Sequence, residues 1–329
     1  MKKVLFSVAI LAFGLGIVNA QTSNFLKKDF LSGYAVGENL EKQAYASGTT
    51  TDPIFLNTWC LSSNASNRGG VSPTIAAPLS YTGYIESGLN TSLIVEKQAS
   101  GSTGRYTVYS LSESDTEYSL GTYYLAFILN VNAISGTPGS GISEFMGLDG
   151  NFRGGALRGR LAALNVDGST YKLAIGGDGS AVAADFTSSA VYNVDQPYLL
   201  VFKAVIAGDG TATVSMFINP AITTAEPASN ATVSVTGSLK ALKGILLRSR
   251  TTVGYQIGGL RLSDTWANAV GSDTSGLNSI DVEAVSKNVS DIQYYDLTGK
   301  KVLNPAKGFF VKKTVYTDGT SKSEKIANR

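Results

Sequence analysis

Residues 198–219 read YLLVFKAVIAGDGTATVSMFIN, two apolar runs on either side of a glycine-rich turn. Apolar side chains alternate along both runs, and they are Leu200, Phe202, Ala204, Ile206, Ala212, Val214, Met216 and Ile218. Successive side chains of a strand point to opposite faces, so the alternation predicts one buried face on each strand. The Asp-Gly turn tolerates positive φ and favours an antiparallel hairpin. Thr213 and Ser215 are expected to point away from that buried face.

The same pattern extends over most of the chain. Runs rich in β-branched and aromatic residues occur at 123–131, 142–148, 157–164, 171–175, 245–248 and 253–262. Asp-Gly pairs punctuate them, and no stretch shows a sustained helical period. The sequence therefore predicts an all-β fold, a two-sheet antiparallel sandwich with almost no helix.

Residues 123–268 resemble the laminin-G-like, concanavalin-A-like jelly-roll domains of bacterial secreted proteins. The most specific matching segments read MFINP at 216–220 and IGGLRLSDTW at 257–266. The resemblance implies a jelly roll of roughly a dozen strands, which we assign to residues 21–270. Within it, Trp266 is expected to belong to the core.

The end of the chain has a different composition. Residues 271–279 are polar and rich in Gly and Ser, which is typical of a linker. Residues 280–329 resemble the C-terminal modules of Bacteroidetes secreted proteins, including type IX sorting domains, without the Tyr-Pro-Asn-Pro opening strand. The resemblance implies a small β-sheet domain and a contact with the secretion machinery. Its predicted core is Ile292, Tyr294, Val302, Phe310, Val315 and Ile326.

The N-terminus also indicates export. Lys2 and Lys3 precede an apolar run, and Val18-Asn19-Ala20 places small residues at a cleavage spacing, so residues 1–20 are predicted to be a signal peptide cleaved before Gln21. No later segment is apolar enough to span a bilayer. The mature protein is expected to be secreted or at the cell surface.

Charge and composition exclude several classes of function. Without Lys2 and Lys3 the chain has 25 basic and 25 acidic residues, a balance that does not suggest a nucleic-acid partner. The sequence contains no histidine, which excludes Ser-His-Asp and Cys-His catalysis and histidine-ligated metal sites. Its one cysteine, Cys60, cannot form an intrachain disulfide and is expected to be a small buried apolar residue.

One carboxylate cluster has the spacing of a catalytic site. Glu113, Asp115 and Glu117 match the Glu-x-Asp-x-Glu pattern of jelly-roll glycoside hydrolases of the laminarinase type. On a strand, period two would place the three carboxylates on one face, with Glu113 and Glu117 as nucleophile and acid/base. Here Ser114 and Thr116 replace the apolar residues of such strands. We therefore expect a solvated acidic loop and no catalytic role.

Calcium is the one cofactor that the residues leave open, since carboxylates and carbonyls suit a hard cation. The acids nearest to suitable loops are Asp149, Asp178 and Asp209, and each also belongs to an Asp-Gly pair. The expectation is no dedicated metal site.

Three functions stay open from the sequence. The first is an exported, non-catalytic recognition protein that binds carbohydrate or another cell-surface component. The second is a retaining glycoside hydrolase that uses Glu113 and Glu117, and the third is a structural surface protein without a soluble ligand. Glycan binding needs accessible aromatic and polar groups, and the tyrosines considered for it are Tyr34, Tyr45, Tyr81, Tyr84 and Tyr192. Arg153, Arg158 and Arg160 are expected to be solvated charges on a sheet face.

Overall fold

The computed structural model describes residues 25–28, 30–41, 56–62, 69–99, 104–112, 114–140, 142–150, 157–177, 186–236, 239–272, 289–296, 300–302, 308–317 and 321–328. The chain divides into two compact units, residues 1–273 and 274–329. The predicted signal peptide lies outside the described residues.

Nearly all regular structure is β-sheet. In chain order the elements are β1 (Phe25–Lys27), β2 (Trp59–Leu61), β3 (Thr74–Ala76), β4 (Ser92–Val95), β5 (Tyr106–Ser110), β6 (Gly121–Ile134), β7 (Ser143–Asp149), β8 (Leu157–Asn165), β9 (Thr170–Gly176), β10 (Phe186–Thr187), β11 (Tyr192–Asn193), β12 (Pro197–Ile206), β13 (Ala212–Ile218), β14 (Ala231–Val235), β15 (Gly244–Arg248), β16 (Val253–Ser263), α1 (Trp266–Val270), β17 (Val289–Tyr295), β18 (Lys301–Val302), β19 (Gly308–Tyr316) and β20 (Ser321–Asn328).

Unit one is a sandwich of two antiparallel sheets. Sheet one has the order β14-β13-β12-β6-β16-β4-β3, with β1 also paired to β16. Sheet two has the order β10-β9-β8-β7-β15-β5-β2, with β11 also paired to β9. Side chains from both sheets form one large core, in which Phe127, Phe145 and Tyr255 are fully buried. The predicted all-β class, an antiparallel two-sheet jelly-roll sandwich with a small C-terminal sheet, is confirmed.

The β12–β13 hairpin forms in the predicted register. Leu200 lies opposite Ile218, and Phe202 lies opposite Met216. All eight alternating apolar side chains of the pair are buried. Thr213 is exposed on the other face, as expected.

The outer face of sheet one is partly covered rather than open to solvent. The five-residue helix α1 packs there, and Trp266 contacts the rings of Tyr124 and Phe217 at centroid distances of 6.1 and 4.9 Å. The Thr265 hydroxyl caps the start of the helix, and Gly271 ends it with φ 74°. Trp266 is 4% exposed, which confirms that it belongs to the protein interior.

Unit two is a four-stranded antiparallel sheet of order β18-β17-β19-β20. The register places Ile292, Tyr294, Val302 and Phe310 on one face and Val315 on the other. Phe310 is buried, but Ile292 is 44% exposed, so the prediction of Ile292 as a core residue is wrong. The described part of this unit contains one sheet, and a sheet without a second layer cannot bury every apolar side chain on its face. The Ile326 side chain lies outside the described part of the structure.

Candidate functional site

A gap in the strand pairing along β16 lies beside a cavity in unit one. Strand β4 pairs with β16 at 255–258, and β1 pairs with the same edge at Leu262 and Ser263. On the other edge the β6 register shifts between Gly258 and Arg261. Gly259 and Leu260 therefore form a bulge with no strand partner among the described ladders, and such bulges commonly occur beside binding sites.

The cavity has a volume of about 280 Å³, slightly below the roughly 300–1,000 Å³ of typical ligand pockets. It is lined by residues from three neighbouring segments: Lys28, Phe30, Leu31, Ser32, Gly33, Tyr34, Glu86, Asn90, Thr91, Gly259 and Leu260. We call this the bulge cavity. Its size suits a single sugar ring or a similar small group.

Glu86, which lines the bulge cavity, forms a buried ion pair with Arg261 of β16. Arg261 Nη1 donates to Glu86 Oε1 over 2.6 Å, and Arg261 Nε donates to the carbonyl of Asn268 over 2.5 Å. The side chains of Arg261 and Glu86 are 5% and 7% exposed. Hydrogen bonding and opposite charge stabilise both groups away from water. The pair therefore holds the 84–91 loop against the bulge.

Gly259 allows this close approach because it has no side chain. Its φ is 58°, in the left-handed region, and a Cβ atom there would lie 3.0 Å from Tyr84 Cε1 and 3.2 Å from Glu86 Cβ. The Tyr84 hydroxyl donates to the Gly259 carbonyl over 2.7 Å. Burial, followed by the nearby Glu86, raises the Tyr84 pKa well above its ordinary value, so the phenol stays protonated as a donor.

The other residues that line the cavity include aromatic and polar groups. Trp59 Nε1 donates to the Phe30 carbonyl over 2.8 Å, which anchors the 30–34 segment to sheet two. Tyr34 is partly buried against the core, and burial raises its pKa. Asn90, at φ 58°, is exposed. The cavity lining thus includes aromatic side chains, an amide and a carboxylate.

The predicted catalytic carboxylates lie elsewhere. Asp115 and Glu117 are exposed in the loop between β5 and β6, not on a strand, and Glu113 lies outside the described residues. The Asp115 carboxylate accepts from Lys243 Nζ at 2.5 Å, and this contact lowers the pKa of Asp115. Glu117 Oε2 accepts from the Ser112 hydroxyl over 2.6 Å. This loop does not place Asp115 and Glu117 in the period-two strand arrangement of the hydrolase hypothesis.

The two described calcium candidates, Asp149 and Asp209, belong to different elements. Asp149 is fully buried at the end of β7, while Asp209 is in the β12–β13 turn, and Asp178 lies outside the described residues. Asp209 Oδ1 accepts from the Thr211 backbone and hydroxyl over 2.7 and 2.6 Å, and these hydrogen bonds lower its pKa. Among the described residues, no group of three or more acidic, Cys or His side chains could hold a metal ion.

Of the four described tyrosines that were candidates for glycan binding, Tyr34 alone lines the bulge cavity. Tyr84 and Tyr192 are buried, and Tyr81 packs against the apolar cluster that contains Trp266 of α1. Tyr45 lies outside the described residues. The sequence reasoning missed Glu86, Asn90 and the bulge itself. The Gly258-Gly259 pair inside a long strand was the available signal, because glycine within a strand often marks a bulge.

Two further residues bear on the sequence expectations. Cys60 is buried, as predicted, and burial raises its pKa to about 11. Arg160 is only 4% exposed, so the expectation of a solvated charge is wrong for this residue. Its strand β8 pairs with β7 and β9 in the interior of sheet two, so side chains of both neighbouring strands flank Arg160 on its face of the sheet. Arg153 lies outside the described residues.

No helix within the described ranges is long and apolar enough to cross a membrane.

Comparison with known proteins identifies no family. No protein-family model matches the sequence, and no curated protein matches it. Among solved structures, similarity is found to a carbohydrate esterase from the Shiga toxin-encoding bacteriophage phi24B, with 11% identity, a TM-score of 0.37, and coverage of 63% of this chain and 90% of that chain. An endo-β-1,4-glucuronan lyase from Trichoderma reesei has 9% identity, a TM-score of 0.36, and coverage of 60% and 89%. At these scores the similarity is confined to general features of β-rich proteins.

Proposed function

We propose that this protein is an exported, non-catalytic recognition protein that binds a carbohydrate, or another component of a cell surface, in the bulge cavity. The observation that carries the proposal is the cavity itself. It combines aromatic walls with the Asn90 amide, the Thr91 hydroxyl and the Glu86 carboxylate. Sugar rings present apolar faces and hydroxyl edges together, and such a mixed lining can contact both.

Support for a rigid site comes from the way the walls are held. The Glu86–Arg261 pair and the Tyr84–Gly259 hydrogen bond connect the 84–91 loop to β16. A cavity that is formed before the ligand arrives avoids the entropy cost of ordering its walls. The small volume favours one sugar residue of a longer chain as the bound unit.

Export is part of the proposal and is supported by the sequence at both ends. Residues 1–20 have the order of charge, apolar core and small residues of a signal peptide. Residues 280–329 resemble secretion modules, so we propose that they contact the secretion machinery. Recovery of Met1 on the folded protein from its native host would contradict the signal peptide.

A printed glycan array followed by titration calorimetry tests the binding site. Asn90→Gly removes the amide but keeps a residue suited to φ 58°. We expect it to weaken binding of the selected saccharide by at least tenfold. Asn57→Gly is the matched control, because Asn57 is also exposed and has φ 56° but does not line the cavity.

Two outcomes would count against the proposal. Equal affinity of Asn90→Gly and the wild type for a selected saccharide would place the site elsewhere. A folded protein that selects no glycan on the array would favour the structural surface protein.

The hydrolase alternative has a separate test. We expect no release of reducing sugar from β-glucans. If the wild type cleaves a β-glucan and both Glu113→Gln and Glu117→Gln abolish the cleavage, the protein is an enzyme and the non-catalytic assignment is wrong.

A further inference from the structure

A second charged cluster lies on sheet two, away from the bulge cavity. Arg248, the last residue of β15, forms an ion pair with Glu144 of β7 through Nη1 and Oε1. Arg250 approaches the same carboxylate, with Nη2 3.6 Å from Oε2. Two guanidinium groups thus share one carboxylate, which leaves one positive charge in excess.

The Arg250 guanidinium is poorly satisfied in this position. The 3.6 Å separation is longer than a hydrogen bond, and no hydrogen bond reaches this guanidinium within the described part of the chain. Its side chain is 26% exposed, so it remains accessible from solvent. Its N–H donors are therefore available to an acceptor that arrives from solvent.

Neighbouring groups hold the cluster in place. The guanidinium of Arg248 lies over the Tyr106 ring, 4.9 Å from the centroid, and its Nε is buried without a hydrogen-bond partner among the described residues. Burial lowers the pKa of Arg250, and Arg248 adds to that effect although Glu144 opposes it. An added negative charge would relieve the repulsion between the two arginines.

We propose that Arg248 and Arg250 form an oxyanion-binding site, and that its ligand is the carboxylate or sulfate group of an acidic saccharide. Planar guanidinium groups recognise carboxylate and sulfate oxygens through paired hydrogen bonds. Arg250 supplies donors without a protein acceptor, and Arg248 supplies a second charge that its contact with Glu144 holds in place. That the oxyanion belongs to a saccharide rests on the proposed function. Arg248 and Arg250 themselves do not line the bulge cavity.

Binding of inorganic sulfate tests the site without a saccharide. Sulfate should raise the melting temperature of the full-length protein more than chloride does at equal ionic strength. Sulfate also stabilises folded proteins non-specifically, so Arg250→Gln should lower the difference clearly below that of the wild type without abolishing it. Arg250→Lys should lower it nearly as much, because lysine keeps the charge but loses the fork. Lys203→Gln is the charge-matched control on sheet one, where Lys203 pairs with Glu226 over 2.9 Å, and it should leave the sulfate effect intact.

Saccharides then identify the source of the oxyanion. The same variants are titrated with three saccharides: tetragalacturonate, the neutral methyl ester of tetragalacturonate, and a sulfated oligosaccharide. We expect an acidic form to bind at least tenfold more tightly than its neutral form, with the difference lost in Arg250→Gln and kept in Asn90→Gly.

The outcomes separate the two proposals. Loss of binding in Asn90→Gly alone supports the bulge cavity and overturns the arginine site. Equal effects of Arg250→Gln and Lys203→Gln would show a general charge effect and overturn it as well. Sulfate binding without any preference for acidic saccharides would reduce the cluster to an inorganic-anion site and overturn the assigned ligand.

Discussion

Arg261 donates from Nη1 to Glu86 Oε1 over 2.6 Å, and less than a tenth of either side chain is exposed. The two residues belong to segments 175 positions apart in the sequence. Their contact joins the strand that carries the bulge to the loop that closes the cavity, so the ion pair and the proposed binding site depend on the same geometry.

Breaking this pair should destabilise the protein strongly. Glu86→Leu leaves the Arg261 charge buried without its carboxylate, which typically costs about 3–5 kcal/mol of unfolding free energy. Arg261→Met leaves the Glu86 charge in the same position. The double variant should cost clearly less than the sum, because neither charge remains. Urea unfolding of the wild type, both single variants and the double variant gives the coupling energy of the pair. Additive losses of unfolding free energy would mean that the two side chains do not stabilise each other.

Gly259→Ala should be more harmful than an alanine at an unconstrained glycine. A left-handed φ costs a non-glycine residue roughly 1–3 kcal/mol, and here the new methyl would also meet Tyr84 Cε1 at 3.0 Å. Gly139→Ala isolates the backbone term, since Gly139 has φ 73° and no atom within 4 Å of the added Cβ. Thermal unfolding compares the stabilities of the two variants. Equal losses of stability would show that the 84–91 loop moves away from the added methyl group freely.

Stability at alkaline pH should depend on Cys60. Its pKa is about 11 in the folded protein against an ordinary value near 8.5–9. The raised pKa favours the neutral thiol in the fold, so this contribution is complete below about pH 9 and is lost as the pH rises towards 11. A shift of about two pKa units corresponds to roughly 2.7 kcal/mol.

The Cys60→Ala variant isolates this effect from the tyrosines, which also ionise at alkaline pH. Unfolding free energies measured between pH 8 and 11 should converge for the wild type and the variant. A constant difference over this range would contradict the assignment. Native Cys60 should also react with iodoacetamide only after unfolding.

Removing residues 274–329 should leave unit one folded. Residues 1–273 form a compact unit of their own, so the truncated protein should keep its β-sheet circular dichroism spectrum and unfold cooperatively. In the native host, deletion of 280–329 should retain the protein in the periplasm if the module is a working sorting signal. Unchanged surface display would assign the module a purely structural role.

The strand pattern of the sandwich was predictable because it depends on local alternation. The hairpin residues from Leu200 to Ile218 alternate with period two, and one face must be buried whatever the neighbouring strands are. Trp266 and Cys60 were predictable as interior residues for a similar reason, since large and soft apolar side chains are rarely left in water.

By itself, the sequence determined the fold class and the kinds of chemistry that an absence of histidine excludes. It did not determine which polar residues meet. Glu86 and Arg261, or Arg248 and Glu144, come together only when distant strands pair, and no local spacing reports such contacts. The bulge at Gly259 likewise depends on β1 and β4 meeting the same edge of β16. Tertiary structure decided the site because long-range strand pairing, not local pattern, brings these side chains within hydrogen-bonding distance.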